Sequence, residues 1–196
     1  TYTFHLRDAK WSDGQPVTAQ DFVYAWTRVL DPAAGAMNPA MFFLIQGAED
    51  RYNNAGVGDV AISAPDDRTF TFTLVNRVPY MMQMLTYTNF FPVREDVVSA
   101  DPEGWTRNPE TFIGNGPFRV TAFNFGESVV FEKNPEYYDA DAVSLDTLTF
   151  RLIPEPTTAL TAFEAGQVDG IESVPAPEIP RLMASSDAFM VVPSLG

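Results

Sequence analysis

At 196 residues the chain can hold one large domain or two modest ones with a sizeable core, and its 45% hydrophobic and 13% aromatic content exclude a disordered polymer. A net charge of −14, from 12 Lys+Arg against 26 Asp+Glu, argues against broad electrostatic attraction to nucleic acid or anionic lipid and reads as solubility. With 0 cysteines there is neither a disulfide framework nor a thiolate metal site, and no apolar run approaches the roughly 20 residues of a membrane-spanning helix.

The chain opens directly on a strand pattern with no signal peptide ahead of it, and so is expected to have been cut from something longer. Tyr2, Phe4 and Leu6 alternate with Thr3, His5 and Arg7 as in a half-buried strand. Asp13-Gly14 marks a turn. Thr18 then caps a helix, with Asp21 where a capping box places its acid, and Phe22, Ala25, Trp26, Val29 and Leu30 form its apolar stripe. Asp31-Pro32 ends it, because the residue before proline is pushed out of the α region. Residues 33–47 are small and apolar with a breaker at Pro39, and residues 49–58 read as an exposed polar excursion. Residues 69–74 alternate as a strand, and residues 80–85 form a short helix after Pro79. Residues 87–93 are expected to be a loop feeding an extended segment, and residues 99–112 carry the candidate boundary between lobes.

Gly114-Asn115-Gly116-Pro117 is expected to supply positive-φ positions and then a fixed φ. Residues 118–123 and 128–133 read as the strands of a hairpin closed by residues 124–127, and Asn134-Pro135 stops the pairing. A lone hairpin is marginal in water, so it must join a larger sheet. Residues 145–153 suggest a further strand and residues 157–165 a helix with Gly166 at its C′ position. A short strand over 168–174, a brief helix over 179–183 and a last strand over 190–192 complete the reading, whose fold class is mixed α+β.

Catalytic patterns are weak. A nucleophilic triad needs a base, and the 1 histidine, His5, sits inside a strand pattern where a structural role is the plain expectation. The paired acids Asp66/Asp67, Glu95/Asp96 and Asp139/Asp141 fall at turns and strand ends, where Asp caps and solvates. Asp139-Ala140-Asp141 lacks the central glycine and closing acid of a calcium loop, and Gly114-Asn115-Gly116 lacks the further residues of a phosphate loop. We expect no enzyme, no cofactor and no metal. The non-periodic groups 37–43 and 87–91 are more informative. Both are loop-like and apolar, punctuated by Asn38 and Asn89, which is the mixture of ligand pockets, although packing against other parts of the molecule would need the same residues.

Three stretches together carry a resemblance: residues 3–26, TFHLRDAKWSDGQPVTAQDFVYAW; residues 114–138, GNGPFRVTAFNFGESVVFEKNPEYY; and residues 151–171, RLIPEPTTALTAFEAGQVDGI. In order and spacing, across nearly the whole chain, they resemble the extracytoplasmic solute-binding proteins of peptide, oligopeptide and nickel ABC importers (family 5). The resemblance implies part of a type II periplasmic-binding-protein fold, with residues 1–112 as the accessory α/β domain and residues 113–196 as a partial sheet lobe. It implies capture of oligopeptides or dipeptides in a two-lobed cleft and delivery to a membrane permease, with no bond made or broken. A nickel chelate, haem, a glycan or an opine is the alternative cargo; a protein-interaction module or a hydrolase is the alternative of another class. The resemblance further implies a monomer, no nucleic-acid partner, and a periplasmic or cell-surface lipoprotein whose signal peptide lies upstream. In relatives the segments matching 37–41 and 87–91 approach the ligand, which makes Asn38, Met41, Tyr87 and Asn89 the candidate ligand-binding residues. This chain has Met37-Asn38-Pro39-Ala40-Met41 where a Pro-Tyr-like pair is common. An N-terminal segment and the second lobe are expected to be missing, so the fragment alone should bind peptide weakly.

Overall fold

The computed structural model describes residues 1–185. It divides into two compact units: the first is made of residues 1–123 and 130–149, the second of residues 124–129 and those from 150 onward.

The first unit is organised around Trp26. Strand β1 (Tyr2–His5) is followed by helix α1 (Ala19–Val29), whose predicted apolar stripe faces inward with Ala25, Trp26 and Leu30 buried. The capping box forms: Asp21 Oδ2 accepts from the Thr18 amide at 2.8 Å and from its hydroxyl at 3.1 Å. The same oxygen accepts from buried Trp11 Nε1 at 3.2 Å, so one carboxylate fixes both the helix start and the preceding turn. Helix α2 (Ala48–Asn53) lies where an exposed excursion is expected from composition; Ala48 is fully buried, and Tyr52 packs on the core from a half-buried position. Gly47 caps it at φ +82, where a β-carbon would meet the Asp59 carbonyl oxygen at 2.3 Å, so this turn requires glycine.

Strands β2 (Ile62–Asp66) and β3 (Thr69–Phe72) form a hairpin, and β1 joins the other edge of β3, giving an antiparallel sheet in the order β1-β3-β2. Phe4 pairs with Phe70 and Tyr2 with Phe72. The β2 register shifts between Ser63 and Asp66, the interval that holds Pro65, which has no N–H for a ladder. Leu74, expected in this strand, instead makes an isolated bridge to Ile45. The sheet's aromatic face meets α1: the Trp26 ring lies edge-on to Phe70 at 4.8 Å, with Phe72 at 5.0 Å. Such pairs contribute about 0.5–1.5 kcal/mol each beyond area burial. Short helices α3 (Met81–Met84) and α4 (Glu95–Ala100) follow, anchored by buried Met81 and Val98.

Strands β4 (Phe118–Asn124), β5 (Ser128–Lys133) and β6 (Thr147–Arg151) make a second sheet in the order β4-β5-β6, the larger sheet that the central hairpin needs. Residues 114–117 correct the sequence reading. Neither Gly114 nor Gly116 adopts positive φ, and a β-carbon on either would meet nothing within 4 Å. The turn is held from outside. Asn134, fully buried, donates its side-chain amide to the Gly116 carbonyl at 2.9 Å and its main-chain N–H to the Pro117 carbonyl at 2.9 Å. Its own Oδ1 accepts from the Glu136 amide at 3.0 Å. Asparagine is used here because it donates and accepts at once. This motif also meets the first one: Lys10 pairs with Glu136 at 2.8 Å, Ser12 N–H donates to the Gly114 carbonyl at 2.8 Å, and Arg7 stands 4.1 Å over the Tyr138 ring.

In the second unit, helix α5 (Pro156–Glu164) buries Leu160 and Ala162, and Gly166 takes φ +68 just past its end. Helix α6 (Ile179–Ser185) buries Leu182, and Arg181 reaches Glu164 at 2.9 Å and Glu178 at 2.6 Å. The strand expected over 168–174 does not form: Asp169-Gly170 interrupts the run, and an apolar stretch becomes a strand only where a ladder receives it. The strand expected over 190–192 lies outside the described residues.

Candidate functional site

The two non-periodic apolar groups of the sequence each end in a single 3-10 turn, Pro39–Phe42 and Thr88–Phe90, and both turns are pinned beneath by the same aromatic cluster. Phe42 and Phe90 stack at 4.4 Å, and Trp26 meets each edge-on, at 5.5 and 5.3 Å. Buried Trp26 also donates its indole N–H to the Phe90 carbonyl at 2.9 Å, which fixes the main chain of the second turn. Above this base, Asn89 donates its side-chain amide to the Met37 carbonyl at 2.6 Å. The two segments therefore form one ridge.

The four residues expected to bind ligand fall on this ridge in different ways. Asn38 is exposed and caps its turn at φ 53, a left-handed position that asparagine tolerates better than most residues. Met41 is half-buried and packs on the core. Tyr87 is 58% exposed and begins the second turn. Asn89 is half-buried and engaged as a structural tie through its side-chain amide. Asn89 and the residue before Asn38 are thus brought together, and the stacked Phe42 and Phe90 follow Met41 and Asn89 directly.

Sequence reading did not single out Met37, the most exposed large apolar side chain of the first segment at 79%, nor Phe91, Tyr80 and Met82, each at least half exposed on or beside the second. Met37 and Phe91 lie within the two non-periodic apolar groups, whereas Tyr80 and Met82 fall in the short helix expected over 80–85, whose exposed apolar side chains periodicity alone does not mark. Among these ridge residues none is charged, so the surface offers apolar area with asparagine amides as its polar handles.

His5, Asp66 and Asp96 sit in strand, turn and ion-pair surroundings respectively. His5 is exposed, with its nearest polar partner, Thr69, at 3.4 Å. Asp66 accepts from the Arg68 amide at 2.8 Å, and that bond holds its carboxyl below the usual range. Asp96 is likewise lowered, by the Arg94 guanidinium that it binds. Both acids thus behave as turn and ion-pair groups. No helix among the described residues is long and apolar enough to cross a membrane.

A family model described as bacterial extracellular solute-binding proteins, family 5 Middle, matches residues 1–191. The chain is 38% identical to the dipeptide-binding protein DppE of Bacillus subtilis over all of its own length and 36% of that relative's. It is 37% identical to the oligopeptide-binding protein OppA of the same species over 86% of this chain and 31% of that protein. Among solved structures it is similar to OppA of Burkholderia pseudomallei, with a TM-score of 0.87 and 33% identity over 93% of this chain and 36% of that one. It is similar too to Haemophilus influenzae OppA in complex with RPPGFSPFR, at a TM-score of 0.86 and 32% identity over the same shares. The chain therefore spans about a third of the length of these relatives.

Proposed function

The chain belongs to the bacterial extracellular solute-binding proteins of family 5 and has the fold of their OppA-type members, and from that premise we propose that it is part of the substrate-binding component of an ABC importer. The proposed cargo is an oligopeptide or dipeptide, held in a two-lobed cleft and handed to a membrane permease without chemical change. Residues 1–112 serve as the accessory domain and residues 113–196 as part of a sheet lobe. The protein acts as a monomer outside the cytoplasm, in the periplasm or as a cell-surface lipoprotein.

One observation carries this reading. The two segments that the family resemblance implies to be ligand-facing are tied together by the Asn89–Met37 hydrogen bond and raised on a rigid aromatic base. Tyr87 and Asn38 are exposed on that ridge, with Met41 half-buried beside them. A preformed ridge suits a receptor, because little ordering cost is left for the moment of binding.

The test is isothermal titration of the intact protein with a mixed peptide library, followed by mass spectrometry of the recovered ligand. Saturable binding that weakens several-fold in Tyr87→Ala, with every peptide recovered uncleaved, is the expected result. Peptide turnover, or affinity indifferent to Tyr87, Asn38 and Met41 alike, would overturn it.

A further inference from the structure

We propose that the first unit holds a second, separate binding site, for a small oxyanion bearing a carboxylate or phosphate group. The site is a cavity of about 400 Å³ lined by helices α1, α2 and α4 and the chain just after α1. None of the four ridge residues lines it.

Its lining is rich in donors. Tyr24 and Arg28 come from one face of α1, Arg51 from α2 and Ser99 from α4, with Asp31 as the single carboxylate. Two guanidinium groups against one acid leave the cavity positive, in a chain whose net charge is −14. Neither arginine forms an ion pair among the described residues, whereas Arg68, Arg94, Arg119 and Arg181 all do. Asp31 is occupied otherwise: its Oδ1 accepts from the Ala33 amide at 2.9 Å and starts the following turn.

Arg51 supplies an independent sign. Its Nη1 donates to the Gly58 carbonyl at 2.7 Å, while its Nε is shielded from solvent with no hydrogen-bond partner. A buried donor left unpaired is costly and calls for an explanation. The simplest alternative is that Arg28 and Arg51 only offset helix dipoles, since each lies in the last turn of its helix. That role satisfies the charge but leaves the Nε orphaned. An oxyanion that draws the Nε–Nη2 edge toward the cavity would satisfy it, through the two-point fork by which arginine receives carboxylate and phosphate. Arg28, Tyr24 and Ser99 supply the remaining donors. A volume near 400 Å³ suits a small molecule rather than a protein segment.

The experiment titrates the intact protein with inorganic phosphate in one arm and acetate in the other, against chloride at matched ionic strength. Binding is followed by amide chemical shifts and by calorimetry. Saturable shifts on α1, α2 and α4 in either arm are expected, and the arm that binds more tightly names the group. Arg28→Gln and Arg51→Gln should each weaken binding by roughly tenfold, the loss of one charge-assisted hydrogen bond. Peptide affinity should not change. Among the described residues Arg28 makes no side-chain hydrogen bond or ion pair, so its variant carries the test should Arg51→Gln misfold. No saturable response in either arm, or binding that survives both substitutions, would overturn the proposal.

Discussion

Asn89 reaches across 52 residues of sequence to donate its side-chain amide to the main-chain oxygen of Met37 at 2.6 Å. This bond is the upper of two ties between the candidate ligand segments; the lower is the Phe42–Phe90 stack. Because the stack persists without it, Asn89→Ala should lower stability by only about 1 kcal/mol, the net worth of one partly exposed hydrogen bond. The free segments would then have to be ordered by the cargo, so ligand affinity should fall several-fold while the melting temperature moves little. Calorimetric titration beside a thermal melt separates the two effects. A large stability loss with unchanged affinity would show that the tie serves folding alone.

This relationship marks the limit of what sequence pattern reveals. The α1 stripe, its capping box and the hairpin strands are written in local periodicity and turn chemistry, and they stand where the pattern puts them. Strand β2 carries only Ile62 as a β-branched residue and contains Pro65, so its pairing is decided by β3 rather than by its own propensity. Helix α2 is polar and Asn-rich, and it is held by a single fully buried alanine and a half-buried Tyr52. Met37 and Asn89 were legible as members of two odd apolar loops. That they touch depends on Trp26, a residue whose helical spacing says only that it is core.

Trp26 gives the sharpest stability prediction. Its indole N–H satisfies the buried Phe90 carbonyl at 2.9 Å while its ring contacts Phe42, Phe70, Phe72 and Phe90. Trp26→Phe keeps an aromatic ring but removes the donor and leaves a void. The expected cost is about 2–4 kcal/mol, combining an unsatisfied buried acceptor with partial cavity formation. Urea denaturation should show the midpoint falling with little change in slope. Exchange of the amides in residues 87–91 should accelerate most, since that turn loses its indole tether.

Asn134 plays the corresponding part in the 114–138 motif. Fully buried, it ends strand β5 and satisfies Gly116 and Glu136 through its side chain. Asn134→Ala should cost about 2–3 kcal/mol, because two main-chain groups lose partners at once. Gly116→Ala, by contrast, should be nearly neutral: its φ is not positive and a β-carbon there finds open space. That ordering is opposite to what the glycine-rich spelling of the turn suggests, and thermal melts of the two variants decide between them.

Arg94 links the turn at Asp13 to the start of α4, with Nη1 at 3.0 Å from Asp13 and Nε at 2.7 Å from Asp96 Oδ1. The bond from Arg94 is the chief cause that lowers the Asp96 carboxyl from its ordinary 3.8 and raises the arginine. A carboxyl whose folded value lies below its unfolded one stabilises the fold above the unfolded value. That contribution fades as pH falls through the folded value. Wild type should therefore lose stability as pH drops from about the ordinary 3.8 downward. Asp96→Asn should be less stable at neutral pH by no more than about 1 kcal/mol, because the Asp96 side chain is 64% exposed and water screens the pair. The two proteins should converge once the wild-type acid is protonated. Urea midpoints measured across a pH series test this, and a gap that stays constant down to the acid limit would show that the Arg94 pairing contributes nothing to the fold.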